Sequence, residues 1–273
     1  NNRLTMKKLL LILLCLPFIG FGQNVNIPDA NFKAYLVGEP SINTNGDAEI
    51  QVSEAAAFNG TIDCSGMNIY DLTGIEYFSA LTQLEVGYWN GSINGTQTTL
   101  TNQLTTLDVS NNTALTVLNC SANQLTSLDV SNNTALTFLQ CNSNQLTSLD
   151  VSNNTALNIL WCQTNPLTTL DVSNNTALTR LGCWTNNLTS LDLSNNTALT
   201  DLRCLDNQLT TLNVSNNNAL TFLACDYNQL TSLDVSNNTA LTYLQCNSNQ
   251  LTSLDVSNNT ALIELWCSNN QIT

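Results

Sequence analysis

The stretch that decides the fold is residues 136–156, LTFLQCNSNQLTSLDVSNNTA, which returns almost unchanged at residues 241–261 as LTYLQCNSNQLTSLDVSNNTA. Seven full units of this block run over residues 115–261, and an eighth begins at Leu262. A fixed period of about 20 to 50 residues indicates a solenoid, in which each unit is one coil that packs on the next. The cysteine of the block marks the 21-residue step: Cys120, Cys141, Cys162, Cys183, Cys204, Cys225, Cys246 and Cys267.

The first half of each unit has the alternation of a β-strand. In the unit at 136–156, Leu139 and Cys141 would point inward, while Phe138, Gln140 and Asn142 would point outward. Stacked coils would then bury leucine and thiol in one continuous core under a parallel sheet. The second half, LTSLDVSNN, also alternates. We therefore expect a second extended segment on the back of the coil and a gently curved or nearly straight rod.

A column of asparagines follows the predicted strand, one in each coil, at the point where the chain turns away. Its side-chain amides could satisfy the loop backbone groups that stacking leaves unpaired. The column consists of Asn123, Asn144, Asn165, Asn186, Asn207, Asn228, Asn249 and Asn270.

The block LTxLxCxxNxLTxLDVSNNTAL resembles the leucine-rich repeats of the internalin family, in particular internalin J-like cysteine-ladder repeats, over residues 60–273. The resemblance implies an α/β solenoid, namely a leucine-rich-repeat coil with a parallel β-sheet on one face and a small helical N-terminal cap. It also implies adhesion or ligand recognition at a bacterial surface. From the residues alone, a right-handed parallel β-helix is an alternative architecture.

The chain divides into a leader, a cap and the repeats. Residues 1–22 fit a secretory signal peptide with an upstream extension, because Lys7 and Lys8 precede an apolar run and Gly20 and Gly22 suit cleavage after Gly22. This leader, MKKLLLILLCLPFIGFGQ, is similar to those of exported proteins of Bacteroidetes-type bacteria. Residues 23–59 would form the helical cap, and residues 60–273 the solenoid, which an irregular insertion interrupts at about 87–103. We therefore expect a secreted or cell-surface protein.

The sequence stops at Thr273, inside a repeat. An uncapped solenoid end would expose core and strand edge to water. We therefore expect a C-terminal cap or a further domain to be missing from this sequence.

The predicted cap contains two short helices. Pro28 and Asp29 suit the first turn of a helix in IPDANFKAYLVG, and Ser53 suits the start of a second helix in SEAAAF. The segment between them, NTNGDAEIQVSE, resembles a calcium-binding EF-hand loop, with five candidate ligands at positions 1, 3, 5, 7 and 12: Asn43, Asn45, Asp47, Glu49 and Glu54.

Two residues of this loop depart from the EF-hand pattern. Asn43 replaces the usual aspartate at position 1, and Ala48 replaces the glycine of the sharp turn. A calcium site and a purely structural cap turn therefore both stay open, and no other cofactor is expected.

Charge and composition argue against several classes of function. After residue 22 the chain keeps three basic residues, Lys33, Arg180 and Arg203, against 20 acidic ones, a formal charge of 3 − 20 = −17. Such a surface repels nucleic acid and anionic membranes. The sequence has no histidine, the commonest general base. We therefore expect a non-enzymatic protein with no nucleic-acid partner and no membrane span.

The ten cysteines are unusual for an exported chain, which normally uses them in disulfides. Cysteines at one position of successive coils point the same way, and parallel Cβ vectors cannot meet without movement of the backbone. We therefore predict a structural ladder of eight reduced, buried thiols, which pack as small hydrophobic side chains.

The coils differ from one another mainly at four outward positions around the LxC strand, whereas the outward residues of the back stay nearly constant. Exposed aromatic and arginine side chains are typical anchors of interfaces. The pattern favours a binding face for an extracellular protein or glycan, with these candidate residues: Phe138, Trp161, Arg180, Trp184, Asp201, Arg203, Phe222, Tyr227, Tyr243, Glu264 and Trp266.

Two alternatives compete with the binding face. The back of the coil could simply be more constrained, so that the front varies without function. The chain could also be a structural spacer that presents a missing C-terminal domain.

A column of aspartates repeats on the back of the coil, from Asp108 to Asp255, with Asn213 as an exception. Stacked like charges repel unless they are screened, hydrogen-bonded or protonated. Each carboxylate could accept hydrogen bonds from nearby serine or asparagine groups, or the column could bind cations.

Overall fold

The computed structural model describes residues 22–93 and 96–273, with residues 89–99 described by their backbone alone. The predicted signal peptide therefore lies outside the described residues, apart from Gly22. None of the helices in the described ranges is long and apolar enough to cross a membrane.

A ten-stranded parallel sheet carries the fold, and each strand has three residues. Consecutive coils pair in constant register, so that the central leucines, such as Leu139 and Leu160, lie side by side. The leucine-rich-repeat solenoid predicted from the period is confirmed, and the β-helix alternative is not. The strands follow one another in the order β1 (Thr61–Asp63), β2 (Gln83–Glu85), β5 (Val117–Asn119), β6 (Phe138–Gln140), β7 (Ile159–Trp161), β8 (Arg180–Gly182), β9 (Asp201–Arg203), β10 (Phe222–Ala224), β11 (Tyr243–Gln245) and β12 (Glu264–Trp266).

The insertion lies outside this sheet. It forms an antiparallel pair of strands, β3 (Trp89–Ile93) and β4 (Thr96–Leu100), rather than the irregular segment expected from the sequence. Strand β2 pairs directly with β5, so the repeats continue across the hairpin without a break in the sheet.

The core is a stack of leucine and cysteine columns. Leu139 and Cys141 are completely buried, as are their equivalents up to Leu244 and Cys246, which confirms the predicted inward positions. All nine described cysteines are free thiols, but of the eight predicted ladder thiols Cys267, in the last coil, is half-buried rather than buried. Burial raises the pKa of Cys120 and Cys162 to about 12, so these thiols stay protonated at neutral pH.

The predicted asparagine ladder is confirmed. The Asn144 Nδ2 donates to the carbonyl oxygens of Cys120 at 3.0 Å and Cys141 at 3.1 Å, and its Oδ1 accepts from the backbone N–H of Leu125 at 3.0 Å. Each amide therefore ties together two coils and the turn that follows the strand, where no sheet hydrogen bond is available.

The prediction of a second extended segment on the back of the coil is wrong. The back consists of turns, and its one bridge in the described residues joins Asp108 and Asp129. Side chains satisfy the backbone there instead. The buried Asn133 of the SNN motif, for example, donates its Nδ2 to the carbonyl oxygens of Val109 and Asn112, both at 2.9 Å. A neighbouring back strand is therefore not needed to stabilise the segment.

One column of residues has a left-handed backbone although it contains no glycine. It lies two residues after the ladder cysteine, and φ is 56° at Thr164 and 52° at Thr185. A left-handed conformation costs a residue with a Cβ roughly 1 to 2 kcal/mol, and most for β-branched residues. The constant geometry of stacking, rather than local preference, therefore fixes this turn.

Thr164→Gly is expected to raise the free energy of unfolding by roughly 1 kcal/mol, because glycine adopts this φ without strain. Thr168 is also exposed but does not have a positive φ, so Thr168→Gly should lower the unfolding free energy instead. Urea unfolding of the two variants checks the difference. Destabilisation by both would show that Thr164 is not strained.

The N-terminal cap covers the open end of the first coil. Helix α1 (Ala30–Gly38) begins at Asp29, whose Oδ1 accepts from the backbone N–H groups of Asn31 and Phe32. Helix α2 (Val52–Ala57) begins after Gln51, not at Ser53 as the sequence suggested, because Gln51 and Glu54 form a reciprocal capping box. Both helices bury apolar side chains against the repeats, including Phe32, Leu36 and Ala55.

Candidate ligand-binding face

The outward side chains of strands β5–β12 form one surface, here called the front face. In β7, Leu160 is buried, while Ile159 and Trp161 flank it on the outer side and are half-buried. The same pattern recurs in most strands, so the positions on either side of the central leucine face outward as predicted.

Two tryptophans lie together near the middle of the front face. The rings of Trp161 and Trp184 have centroids 6.0 Å apart and an edge-to-face angle of 67°. Gly182 makes room for them, because a Cβ at this position would overlap the six-membered ring of Trp161. The indoles therefore lie against the outer surface of the sheet and outside its core.

Arg203 joins this pair to two further aromatic rings. Its guanidinium forms a bidentate ion pair with Asp201, with both N–O distances 3.0 Å, and lies 4.6 Å from the ring centroid of Phe222 and 5.9 Å from that of Trp161. Phe222 in turn lies 5.9 Å from Tyr243. Ion pair and cation–π contacts together fix a flexible side chain in one orientation.

The front face therefore brings together six of the eleven candidate binding residues. We call them the aromatic–arginine cluster: Trp161, Trp184, Asp201, Arg203, Phe222 and Tyr243.

The other candidates lie apart from this cluster or on its border. Arg180 is the register partner of Asp201 but is exposed and forms no ion pair within the described residues. Phe138 lies half-buried on β6, and Tyr227 is 61% exposed in the turn after β10. Glu264 and Trp266 are both exposed on β12, at the far edge of the sheet.

The sequence missed a set of buried polar residues directly after the ladder cysteine. These positions were expected to face outward, yet Asn142 is only 8% exposed and Gln163 only 9%. Asp226, only 4% exposed, accepts from the backbone N–H and the Nδ2 of Asn247. No periodic signal distinguishes these positions, because the residue type changes from coil to coil.

The comparisons with known proteins agree with this geometry. The family model of the leucine-rich-repeat domain of the endo-β-N-acetylglucosaminidase EndoS matches residues 47–154. The functional domain of internalin J from Listeria monocytogenes, which includes a cysteine ladder, is 39% identical, with a TM-score of 0.69 over 88% of this chain and 56% of that one. The chain is a leucine-rich-repeat protein with internalin-like repeats.

Two more distant structures share the fold of this leucine-rich-repeat protein. One is a leucine-rich-repeat protein of Leptospira interrogans, with 21% identity, a TM-score of 0.70, and coverage of 81% of this chain and 58% of that one. The other is the ectodomain of a plant receptor kinase from Arabidopsis thaliana, in complex with Casparian strip integrity factor 2, with 21% identity, a TM-score of 0.65, and coverage of 76% and 26%.

The chain spans less than two thirds of the length of these three structures. No curated protein sequence matches it significantly.

The aspartate column of this leucine-rich-repeat protein is built into its turns. The Oδ1 of Asp129 accepts from the backbone N–H of Ser131 at 2.9 Å, and the same bond recurs for Asp150 and Asp171. Hydrogen bonds from the serine hydroxyl and backbone N–H lower the pKa of these carboxyls. The interpretation that serine groups stabilise the column is confirmed, and cation binding by the column stays a prediction.

The EF-hand-like loop uses its polar side chains within the cap. The Glu54 Oε1 accepts from the backbone N–H groups of Thr44 and Asn45, and Glu49 pairs with Lys33 at 2.7 Å. Asn43 is buried and donates its Nδ2 to the carbonyl oxygen of Asp47 at 2.8 Å.

Within the described ranges, no group of three or more His, Cys, Asp or Glu side chains is arranged to hold a metal ion. Calcium binding by residues 43–54 stays a prediction, and in the structure these side chains stabilise the cap.

Proposed function

We propose that this protein is a non-enzymatic recognition module that acts outside the cell, secreted or at the cell surface, and binds a protein or glycan through its front face. The observation that carries the proposal is the aromatic–arginine cluster. Its side chains come from the positions where the coils differ most, and they form one contiguous surface on an otherwise uniform stack of repeats.

The physical properties of this surface suit binding. Trp161 and Trp184 are half-buried, so a partner would cover ring surface that is already partly dehydrated and held in place. Arg203 is fixed by Asp201 and loses little side-chain entropy on association. Aromatic and arginine side chains of this kind dominate the energy of many interfaces.

The structural relatives support a recognition role. The plant receptor ectodomain with the same fold was solved in complex with Casparian strip integrity factor 2, and the structure that is 39% identical is the functional domain of an internalin. Internalin-like repeats also favour a location outside the cell for this chain.

The double substitution Trp161→Ala/Trp184→Ala tests the proposal. The chain from Gln23 onward is applied to a glycan array and to an array of extracellular proteins. The variant is expected to lose at least tenfold in affinity for every spot that the unsubstituted chain binds, because both central rings are removed. Its melting temperature should fall by no more than a few degrees, since neither indole lies in the core.

The matched control is Ser127→Ala/Ser148→Ala, which changes two exposed residues on the back of neighbouring coils. It should bind as the unsubstituted chain does. Equal binding by the tryptophan variant would contradict the proposal and favour the spacer interpretation.

A further inference from the structure

Two side-chain oxygens on the front face have no hydrogen-bond partner. They are the Oδ1 of Asn142 and the Oε1 of Gln163, both buried. The two residues occupy the same position in neighbouring coils, so they lie about 5 Å apart along the sheet, the spacing of adjacent strands. A buried acceptor without a donor is costly, so a ligand that supplied donors to these two atoms would be bound favourably.

The same position is satisfied in other coils. Ser121 donates its hydroxyl to the Oδ1 of Asn119, and Asn247 accepts from the backbone N–H and the hydroxyl of Ser268. Asp226 accepts two bonds from Asn247. On the front face the unpaired acceptors are therefore a local property of two coils, whereas on the back a buried asparagine with an unpaired Oδ1 recurs every 21 residues from Asn112 to Asn259.

These two coils are also the ones beside the tryptophan pair. Trp161 precedes Gln163 by two residues on the same coil, and Trp184 occupies the position of Gln163 in the next coil. The Nε2 of Gln163 has no protein partner within the described residues and, unlike the Oε1, is not among the buried unpaired atoms, so it is a donor at the surface. Unused acceptors and an unused donor thus lie next to two aromatic rings.

The geometry points to a saccharide as the ligand of this part of the front face, an inference that rests on the proposed function. Sugar hydroxyl groups both donate and accept hydrogen bonds, so one hydroxyl could pair with the amide of Gln163 and a neighbouring one with the Oδ1 of Asn142. The apolar faces of sugar rings would pack on Trp161 and Trp184. A peptide could cover the same rings, but sugars present several hydroxyl donors within the short spacing of these two amides.

Arg180 would make this site select among sugars by their charge. It is exposed, close in sequence to Gly182 beneath the indoles, and forms no ion pair in the described part of the chain. A guanidinium recognises carboxylate groups, so uronic acid sugars would gain from it and neutral sugars would not.

The test is a titration of the chain from Gln23 onward, followed by tryptophan fluorescence, with neutral trisaccharides of glucose, mannose, xylose and N-acetylglucosamine, and with trigalacturonic acid. At least one of these sugars should bind saturably and change the emission. Gln163→Leu should weaken that binding at least tenfold while leaving the melting temperature equal or higher, because it removes a buried acceptor without a partner. A purely structural role of Gln163 would instead lower the melting temperature.

The matched control is Gln245→Leu, a half-buried glutamine on β11 of the same face, which should leave sugar binding unchanged. If none of the sugars binds, or if Gln163→Leu binds as well as the unsubstituted chain, the saccharide inference is overturned. Protein ligands that are captured on the array and lost in Trp161→Ala/Trp184→Ala would then still support the proposed function. If Trp161→Ala/Trp184→Ala bound every ligand as well as the unsubstituted chain does, both the saccharide inference and the proposed function would be refuted.

Discussion

Raising the pH from 8 to 10 is expected to unfold this protein under reducing conditions. Burial raises the pKa of the core thiols above their ordinary value of 9.0, to about 12 for Cys64, Cys120, Cys162 and Cys246. Burial also raises the pKa well above 9.0 for the thiols of four further cysteines: Cys141, Cys183, Cys204 and Cys225.

The sign of the effect follows from proton binding. Below pH 9 the thiols are protonated in both the folded and the unfolded state, so they add no pH dependence. Between pH 9 and about 12 the unfolded chain releases these protons and the folded chain keeps them, so stability falls as the pH rises. At pH 10 each of the four thiols with a pKa of about 12 accounts for about 1.4 kcal/mol, or about 6 kcal/mol together, and the other four add to the loss in the same direction. The sum is comparable to the whole stability of a typical domain.

A variant with fewer ladder thiols isolates their contribution. Cys141→Ala/Cys162→Ala/Cys183→Ala removes three of the eight completely buried thiols, so the slope of unfolding free energy against pH above 9.5 should become less steep by roughly three eighths. Urea unfolding at a series of pH values gives both slopes, whatever the starting stability of the variant. Equal slopes would show that ionisation of these thiols does not drive the alkaline unfolding.

The period and the alternation of the repeat allowed most of the fold to be predicted. Strand positions, buried leucines and thiols, and the asparagine ladder all follow from one in-and-out pattern that every coil repeats. The back of the coil could not be predicted in the same way. Alternating side chains in LTSLDVSNN fit a strand as well as a turn, and hydrogen bonds such as that from Ser131 to Asp129 decide between them.

The front face was predictable as a surface but not as a site. The position of each residue within the repeat correctly places Trp161, Arg180 and Arg203 on the outer side of the sheet. It does not reveal that Asp201 pairs with Arg203 of its own strand and not with Arg180 of the neighbouring strand, because rotamers decide that choice. The sequence also does not show that Gly182 makes room for the rings of Trp161 and Trp184, because this depends on where a Cβ at that position would lie.

Asn165→Ala is expected to lower the free energy of unfolding by about 3 kcal/mol or more, since it leaves buried backbone groups unpaired. The Asn165 Oδ1 is the acceptor for the backbone N–H of Leu146 at 3.0 Å, and its Nδ2 donates to the carbonyl oxygens of Cys141 and Cys162, both at 3.1 Å. The matched control is Asn174→Ala, an exposed asparagine whose one side-chain bond, to the Ser152 carbonyl, is 3.3 Å long. The control should change stability by less than about 1 kcal/mol.

Asn165→Asp separates the loss of hydrogen bonds from the loss of volume. The carboxylate keeps the shape of the amide and can still accept from Leu146, but it has no donor and would face the carbonyl oxygens of Cys141 and Cys162. It should therefore destabilise the solenoid more than Asn165→Ala at pH 7 and recover as the pH falls and the carboxyl gains a proton. Urea unfolding at pH 7 and pH 5 measures both effects. If the aspartate variant were as stable as the unsubstituted chain at pH 7, the donor side of the asparagine ladder would not stabilise the stack of coils.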